Sequence, residues 1–321
     1  MTILITGING RIGQYVAKGL LNKGYKVIGL DKSDTICESL KGCPYIRADI
    51  TNKYDIDKAL GGLKVNTAIH LAALAHVPSS SNISLEEFMK INCEGALNIA
   101  HAVHECGVNK MLLASTVDVY GEVNSLAVNE NTPCKPVTNY GKSKYAAEKK
   151  LELYLASVGI DYYVFRFTPV YLPEYTFDLD KRVLLPKKLG AFYFNNGNQK
   201  LSLCSIYNIV ESVVAFAEEK LNPGMYIISD KETLSAKEIA NMKKQTGEVK
   251  NVFRLTYSLT FVLVSVFSWM LEILGKSKED LLVNSLNKLA KPVNYDSSKI
   301  SKIIELGWHI QNTLMQFTSC L

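Results

Sequence analysis

Short β-branched apolar runs alternate along this chain with stretches in which apolar residues recur every three or four positions. Thr2-Ile3-Leu4-Ile5-Thr6 is the first run and stops at Gly7, the pattern of a strand buried on both faces. Ile12, Tyr15, Val16, Gly19 and Leu20 then fall at the spacing of one helical face, and Gly24 ends it. Residues 25–30 form a second run with Asp31 at its carboxyl end. Runs at 45–50, 67–72, 110–115 and 162–165 continue the alternation, separated by helical patterns such as 85–106. The expectation is an α/β fold with a doubly wound parallel sheet, whose ligand lies beyond the carboxyl ends of the strands. The residues closing those strands are Asp49, His70-Leu71-Ala72-Ala73, Ser115-Thr116 and Arg166.

Gly7, Gly10 and Gly13 stand between the first strand and the first helix. The first permits a tight turn, the second lets backbone approach a pyrophosphate, and the third lets helix and strand pack closely. The N–H groups of the helix start then hold the phosphate charge. Asp31 can accept both ribose hydroxyls of adenosine and repels the 2′-phosphate of NADP, so NAD is the expected cofactor. Arg11 and Lys32 could neutralise that phosphate, which keeps NADP open as the alternative. A glycine triplet alone is a weak signal, but here the strand, helix, second strand and terminal acid surround it.

A tyrosine four residues before a lysine occurs four times, at Tyr54/Lys58, Tyr140/Lys144, Tyr145/Lys149 and Tyr295/Lys299, against roughly one or two expected by chance. Position selects among them. Tyr140 and Lys144 open a helix predicted over 140–155, after the strand that ends in Ser115-Thr116, so they reach the cofactor end of the sheet. The other three pairs read as surface pairs. A phenol of pKa about 10 needs a nearby cation to act as a base near neutrality, and Lys144 with an oxidised nicotinamide supplies one. Thr116, preferred over Ser115, can hold the same substrate oxygen in line.

With 321 residues, 47% of them hydrophobic, the chain can bury a sizeable core, which excludes general disorder. The 36 basic and 31 acidic residues are dispersed without an arginine patch, so no nucleic acid is expected as a partner. Seven scattered cysteines without a C-x-x-C pair argue against zinc and disulfides, and His101 and His104 lack the carboxylates of a metal site. No leader pattern precedes Gly7, so the expected location is the cytoplasm.

These residues resemble the extended short-chain dehydrogenase/reductase superfamily, in its branch of NAD-dependent nucleotide-sugar epimerases and dehydratases. The matching stretches are Thr6-Gly7-Ile8-Asn9-Gly10-Arg11-Ile12-Gly13, Asp31, Asp49-Ile50, His70-Leu71-Ala72-Ala73, Asn92 with Gly95, Ser115-Thr116-Val117-Asp118-Val119-Tyr120-Gly121 and Tyr140-Gly141-Lys142-Ser143-Lys144. The resemblance implies a Rossmann-type domain over 1–168, to which 203–230 returns. It implies a smaller, mainly helical substrate-binding portion over 169–321, and a homodimer. The implied cofactor contacts are Gly7, Asn9, Gly10, Arg11, Ile12, Gly13, Asp31, Lys32, Asp49, Ile50, Leu71, Ala72, Ala73, Asn92, Tyr140, Lys144 and Phe167. Those to a nucleoside-diphosphate sugar are Ala75, His76, Thr116, Arg166, Pro169, Arg182 and Lys200.

Departures choose the branch. Dehydratases similar to this chain carry an Asp-Glu pair after the threonine, where Val117 and Asp118 stand here; valine donates no proton, which favours an epimerase or a simple reductase. Arg166-Phe167-Thr168-Pro169-Val170-Tyr171-Leu172-Pro173 lacks the asparagine and glycine usual after the sixth strand, and Leu201 replaces an expected arginine. Leu185-Pro186, Ser229-Asp230, Leu234-Ser235 and Leu306-Gly307-Trp308 are similar to 4-ketoreductases of UDP-linked N-acetylated deoxy-hexoses used in surface polysaccharides. The leading expectation is a C4 epimerase of a UDP-sugar for surface polysaccharide synthesis. The alternatives are that NAD(P)H-dependent ketoreductase and, in another class, a non-catalytic dinucleotide-binding scaffold.

Residues 255–271 carry no charge, are apolar nearly all round, and fall short of a bilayer span. Their length favours cover by this domain or another subunit. The flanking Lys250, Arg254, Lys276 and Lys278 suit peripheral contact of 255–274 with acidic headgroups at the inner membrane face.

Overall fold

In a computed structural model of the chain, which describes residues 1–75, 83–123, 127–273, 286 and 293–318, thirteen strands are described. In chain order they are β1 (Thr2–Thr6), β2 (Lys26–Asp31), β3 (Tyr45–Arg47), β4 (Thr67–His70), β5 (Lys110–Thr116), β6 (Ala127–Val128), β7 (Asp161–Phe167), β8 (Val170–Tyr171), β9 (Ala191–Phe194), β10 (Cys204–Ser205), β11 (Gly224–Ile228), β12 (Val252–Leu255) and β13 (Asn294–Tyr295). The helices that matter for function are α1 (Arg11–Asn22), α2 (Lys53–Leu60), α3 (Leu85–Met89), α4 (Gly95–Glu105), α5 (Asn139–Ser157), α6 (Phe177–Val183), α7 (Ile206–Ala217), α8 (Ala236–Gln245) and α9 (Tyr257–Ile273).

Seven strands form one parallel sheet in the order β11-β7-β5-β4-β1-β2-β3. β1 shows why it is doubly wound. Ile3 and Ile5 pack with α1 and α7, while Leu4 between them packs with α4 and α5 on the other face. β1 pairs with both β2 and β4, so the winding reverses there, and a crevice opens at their carboxyl ends. The Rossmann-type α/β fold expected from the sequence is therefore present. β11, drawn from the second half of the chain, returns to its edge.

Two strands end earlier than predicted, and one predicted helix is interrupted. β3 ends at Arg47 and β4 at His70, because residues 48–50 and 71–75 turn over the cofactor end of the sheet. The helix expected over 85–106 is interrupted by a π turn at Lys90–Glu94. That turn carries Asn92, which is fully buried.

The remaining strands pair two by two, as β8 with β10, β9 with β12 and β6 with β13, all parallel. A separate apolar cluster of Tyr171, Leu179, Val183, Leu201, Leu203 and Ile239 supports this half. Leu201, where an arginine was expected, is one of its buried members. Asp230 ties the half to the main sheet: it accepts from Tyr171 Oη at 2.6 Å, the Ser205 N–H at 2.7 Å and Asn208 Nδ2 at 2.8 Å. Burial pushes its carboxyl up to about 7. Asn208 in turn holds the backbone of Trp308, so Ser229-Asp230 and Gly307-Trp308 are parts of one structural bracket.

Candidate active site

The glycine turn is built for close approach. Gly7 has φ 71°, and a Cβ there would lie 2.7 Å from the Ala72 Cα; a Cβ on Gly13 would collide with the Gly7 carbonyl oxygen. α1 starts at Gly10 without a side-chain cap and with no acid in its first turn. Its N-terminal amides and dipole thus favour an anion from outside the protein. Asp31 completes the crevice, its Oδ2 accepting the Asn9 N–H at 3.2 Å and its Oδ1 the Ser33 N–H at 3.2 Å. These groups fit a dinucleotide: an uncapped helix start for the pyrophosphate and an oriented carboxylate for the ribose.

Around this crevice the other expected cofactor residues divide into two kinds. Leu71, Ala72 and Ala73 follow β4 directly over Gly7, with the Leu71 N–H donated to the Thr6 carbonyl at 3.1 Å. Asp49 is exposed and accepts from Thr51, and Lys32 is exposed beside Asp31. Others are committed to the protein itself. The Asn9 side chain accepts the Cys37 N–H and donates to the Thr35 carbonyl, shaping the 33–37 loop. Ile50 is buried against Gly95, and Phe167 is buried beside Phe165. Arg11 lays its guanidinium 3.7 Å from the centre of the Tyr175 ring, so it links the glycine turn to the second half rather than waiting for a 2′-phosphate.

Asn92 is corrected in the same sense. Its Oδ1 accepts the Leu74 N–H at 2.7 Å, and its Nδ2 donates to the Leu74 carbonyl at 3.1 Å and to Ser143 Oγ at 3.0 Å. All three bonds are inside the protein, so Asn92 pins the 71–75 loop to α5 instead of touching a ligand. Ser143 passes the constraint on, donating to the Tyr140 carbonyl at 2.8 Å.

Tyr140, Lys144 and Thr116 are brought to one place by the start of α5 and the end of β5. Thr138 caps α5, accepting the Gly141 N–H at 2.9 Å while its hydroxyl donates to Asp118. Asp118 gives its own N–H to Thr116 Oγ1 at 3.1 Å. The Thr116 oxygen is thus used as an acceptor, and its O–H can donate outward. Tyr140 is half-buried against Phe88, ring centres 6.3 Å apart, and Lys144 is 1% exposed.

The electrostatics depart from the simple expectation. Burial, then the charges of Asp118 and Asp178, push the Tyr140 phenol well above its ordinary value. Burial pulls the Lys144 ammonium down to about 8, partly offset by Glu148 one turn on. His70, fully buried and 2.8 Å from Thr6 Oγ1, is pulled down to about 3 by burial and by Lys144, so it stays neutral.

Arg166 does not face a substrate. It is 1% exposed, donates to Glu148 through Nε at 3.1 Å and Nη2 at 2.6 Å, and lies over the Tyr120 ring. Ser115 also donates to Glu148, which removes it as a rival to Thr116. An arginine closing a strand looks like a ligand group in sequence; what hid its partner is that Glu148 sits on the inward stripe of α5 with Ser143 and Lys144. Lys200 is exposed and donates to the Thr233 carbonyl at 2.9 Å, beside the start of α8. Pro169 gives its carbonyl to the Cys204 N–H, Ala75 is half-buried at the end of the 71–75 loop, and His76 lies outside the described residues.

Arg182 does reach this neighbourhood. It sits four residues after Asp178 on α6, and burial pulls its guanidinium down while Asp178 and Tyr295 hold it up. Tyr295 is therefore no surface residue: burial pushes its phenol up to about 12, with Asp118 and Arg182 as the charges nearest it. Lys299, by contrast, is exposed, and donates to the Met225 carbonyl at 2.6 Å. Asp178 and Tyr295 are the residues that sequence reasoning missed. The Asp178/Arg182 spacing was a usable signal; the arrival of Tyr295 depends on β13 pairing with the distant β6. Among the described residues no group of His, Cys, Asp or Glu could hold a metal ion.

A profile of the NAD dependent epimerase/dehydratase family matches residues 3–229. A putative UDP-glucose 4-epimerase of Methanocaldococcus jannaschii is 35% identical over 172 residues, covering 53% of this chain and 56% of that one. The chain thus spans little more than half the length of that relative. The dTDP-D-glucose 4,6-dehydratase of Mus musculus is 27% identical over 268 residues, covering 76% and 74%. Among solved structures, the Thermus thermophilus UDP-glucose 4-epimerase in complex with NAD superposes with a TM-score of 0.72 at 21% identity, covering 100% of both chains. The profile, matching well over half of the chain, shows that this chain belongs to the NAD dependent epimerase/dehydratase family.

Proposed function

We propose that the chain is a C4 epimerase of a UDP-sugar, working through a transient keto sugar and supplying surface polysaccharide synthesis. Residues 169–321 are its substrate-binding portion, and it works in the cytoplasm as a homodimer. One observation carries the reading: α5 delivers Tyr140 and Lys144 to the end of β5, where Thr116 offers a hydroxyl and Val117 offers no acid for elimination. NAD, held by the glycine turn and Asp31, would supply a hydride acceptor and donor. Thr116 donates a hydrogen bond to the C4 oxygen and holds it in line. Tyr140, as the phenolate that Lys144 and bound oxidised NAD would stabilise, takes the hydroxyl proton as the keto sugar forms and returns it when the alcohol is restored. Lys144, an ammonium below about pH 8, gives the site the positive potential that a departing proton needs. Arg182 faces the sugar nucleotide across Asp178 and Tyr295.

A ketoreductase is favoured by one feature. Burial, then the charges of Asp118 and Asp178, favour the protonated Tyr140 phenol, which suits a group that gives a proton to a ketone oxygen. Incubating the purified chain with UDP-hexoses and NAD separates the two. Epimerisation yields the C4 epimer without added reduced cofactor. Product that forms only from a 4-keto sugar, with one NADH or NADPH consumed for each molecule, replaces the epimerase reading with the reductase.

A further inference from the structure

α9 presents its apolar side outward. Leu259, Val262, Leu263, Val266 and Phe267 lie at i, i+3, i+4, i+7 and i+8, and their exposure runs from 49% at Val266 to 62% at Leu259 and Leu263. Trp269, at 56%, extends the patch. The inward side is the narrower one: Tyr257, Phe261 and Val264 pack on Phe192, Phe194 and Leu286, and Ser268 is fully buried. A soluble domain rarely leaves so continuous an apolar stripe in water. Among the described residues, nothing of this domain covers that face.

We infer that α9 lies in the interface of an acidic lipid bilayer, parallel to its surface, whichever sugar the enzyme acts on. Charge is the first argument. Exposed Lys250 and Arg254 precede the helix, no acid stands between Glu248 and Glu272, and Glu248 is itself paired with Lys188 and Lys243. Apolar contact plus basic flanks is the pair of signals that peripheral binding needs. Size is the second. A stable protein interface takes roughly 20–30 residues from each side, whereas this patch offers six exposed apolar side chains and, at the neighbouring strand β12, Phe253. Length is the third. Seventeen residues make a rod of roughly 25 Å, and no helix of the described residues is long and apolar enough to cross a membrane. The helix lies on the bilayer rather than through it.

Flotation of the purified full chain with vesicles tests this. The chain should float with phosphatidylcholine vesicles containing phosphatidylglycerol, float poorly with phosphatidylcholine alone, and be released by salt. Lys250→Gln with Arg254→Gln should lower partitioning about 30-fold, on the order of fivefold for each basic residue removed. Leu263→Gln with Phe267→Gln should abolish it although the basic residues remain. Both double variants should keep wild-type turnover and thermal unfolding, since every replaced side chain is exposed. Absence of flotation with the phosphatidylglycerol-containing vesicles overturns the inference. So does a lipid-free dimer, seen by light scattering, that Leu263→Gln with Phe267→Gln converts to monomer, because the face would then belong to a second copy.

Discussion

The two halves of this molecule place their residues by different means. In the first, seven strands share one continuous parallel ladder, and each functional side chain stands at a strand end or one helical turn beyond. In the second, ladders of two to four residues join segments far apart in the chain, as β6 and β13 do. The first half fixes position by local sequence, and the second by long-range closure. Polar groups follow the same division. Glu148 and Arg166 are sealed in the interior beneath α5, while Asp178, Arg182 and Tyr295 meet across elements that only tertiary packing brings together.

α5 bridges the halves, and changing its first turn should give the largest effect. Tyr140→Phe removes one hydroxyl at a half-buried position and leaves the glycine turn, Asp31 and Lys144 untouched. Turnover should fall by about 10²–10⁴-fold, the usual worth of a positioned proton-transfer group. NAD affinity should stay close to wild type in a fluorescence titration. Unchanged turnover in this variant would erase the special role given to the bridge, and unchanged cellular function with turnover lost would favour the scaffold alternative.

This division also explains what could be read from the chain. The glycine spacing, Asp31 and the alternation of β1 with α1 are short-range patterns, so the Rossmann-type sheet and its crevice were legible. Tyr140, Lys144 and Thr116 were legible because a strand end and a helix start locate them. Arg166 was misassigned because position at a strand terminus says nothing about which side chain meets it from α5. Asn92 was placed in the right neighbourhood but given the wrong partner, since a π turn inside an otherwise helical pattern leaves no mark in periodicity. Tyr295 could not be placed at all from spacing, because its neighbours Asp118 and Arg182 lie 177 and 113 positions away.

The next largest effect separates interior from site within the first half. Arg166→Met should cost about 3–5 kcal/mol in unfolding free energy, because Glu148 is left charged in the interior. The double change Arg166→Met with Glu148→Met should recover much of that loss, since no charge then remains unpaired. Urea unfolding of the three proteins measures it. If the single variant is as stable as wild type and instead raises KM for the sugar nucleotide, Arg166 belongs to the substrate after all.

The smallest effect sharpens the second half, where two basic residues were candidates for the sugar-nucleotide phosphates. Arg182 lies among Asp178 and Tyr295, whereas Lys200 is exposed and spends a hydrogen on the Thr233 carbonyl. A hydrogen bond to a charged group is worth roughly 1.5–3 kcal/mol, so Arg182→Gln should raise KM by about tenfold or more. Lys200→Gln should leave KM near wild type, because its loss costs only an exposed bond to a backbone oxygen. The ratio kcat/KM adds a second reading. Arg182 also faces Asp178, whose charge helps hold the Tyr140 phenol protonated. Removing the guanidinium leaves that carboxylate less compensated, so a modest fall in kcat should accompany the rise in KM. A KM effect without any change in kcat would mean that Arg182 binds both ground and transition states equally and does not reach the phenol through Asp178. The reverse ranking, with Lys200→Gln the more damaging, would show that the substrate enters over α8, and the long-range cluster around Tyr295 would lose its place in binding.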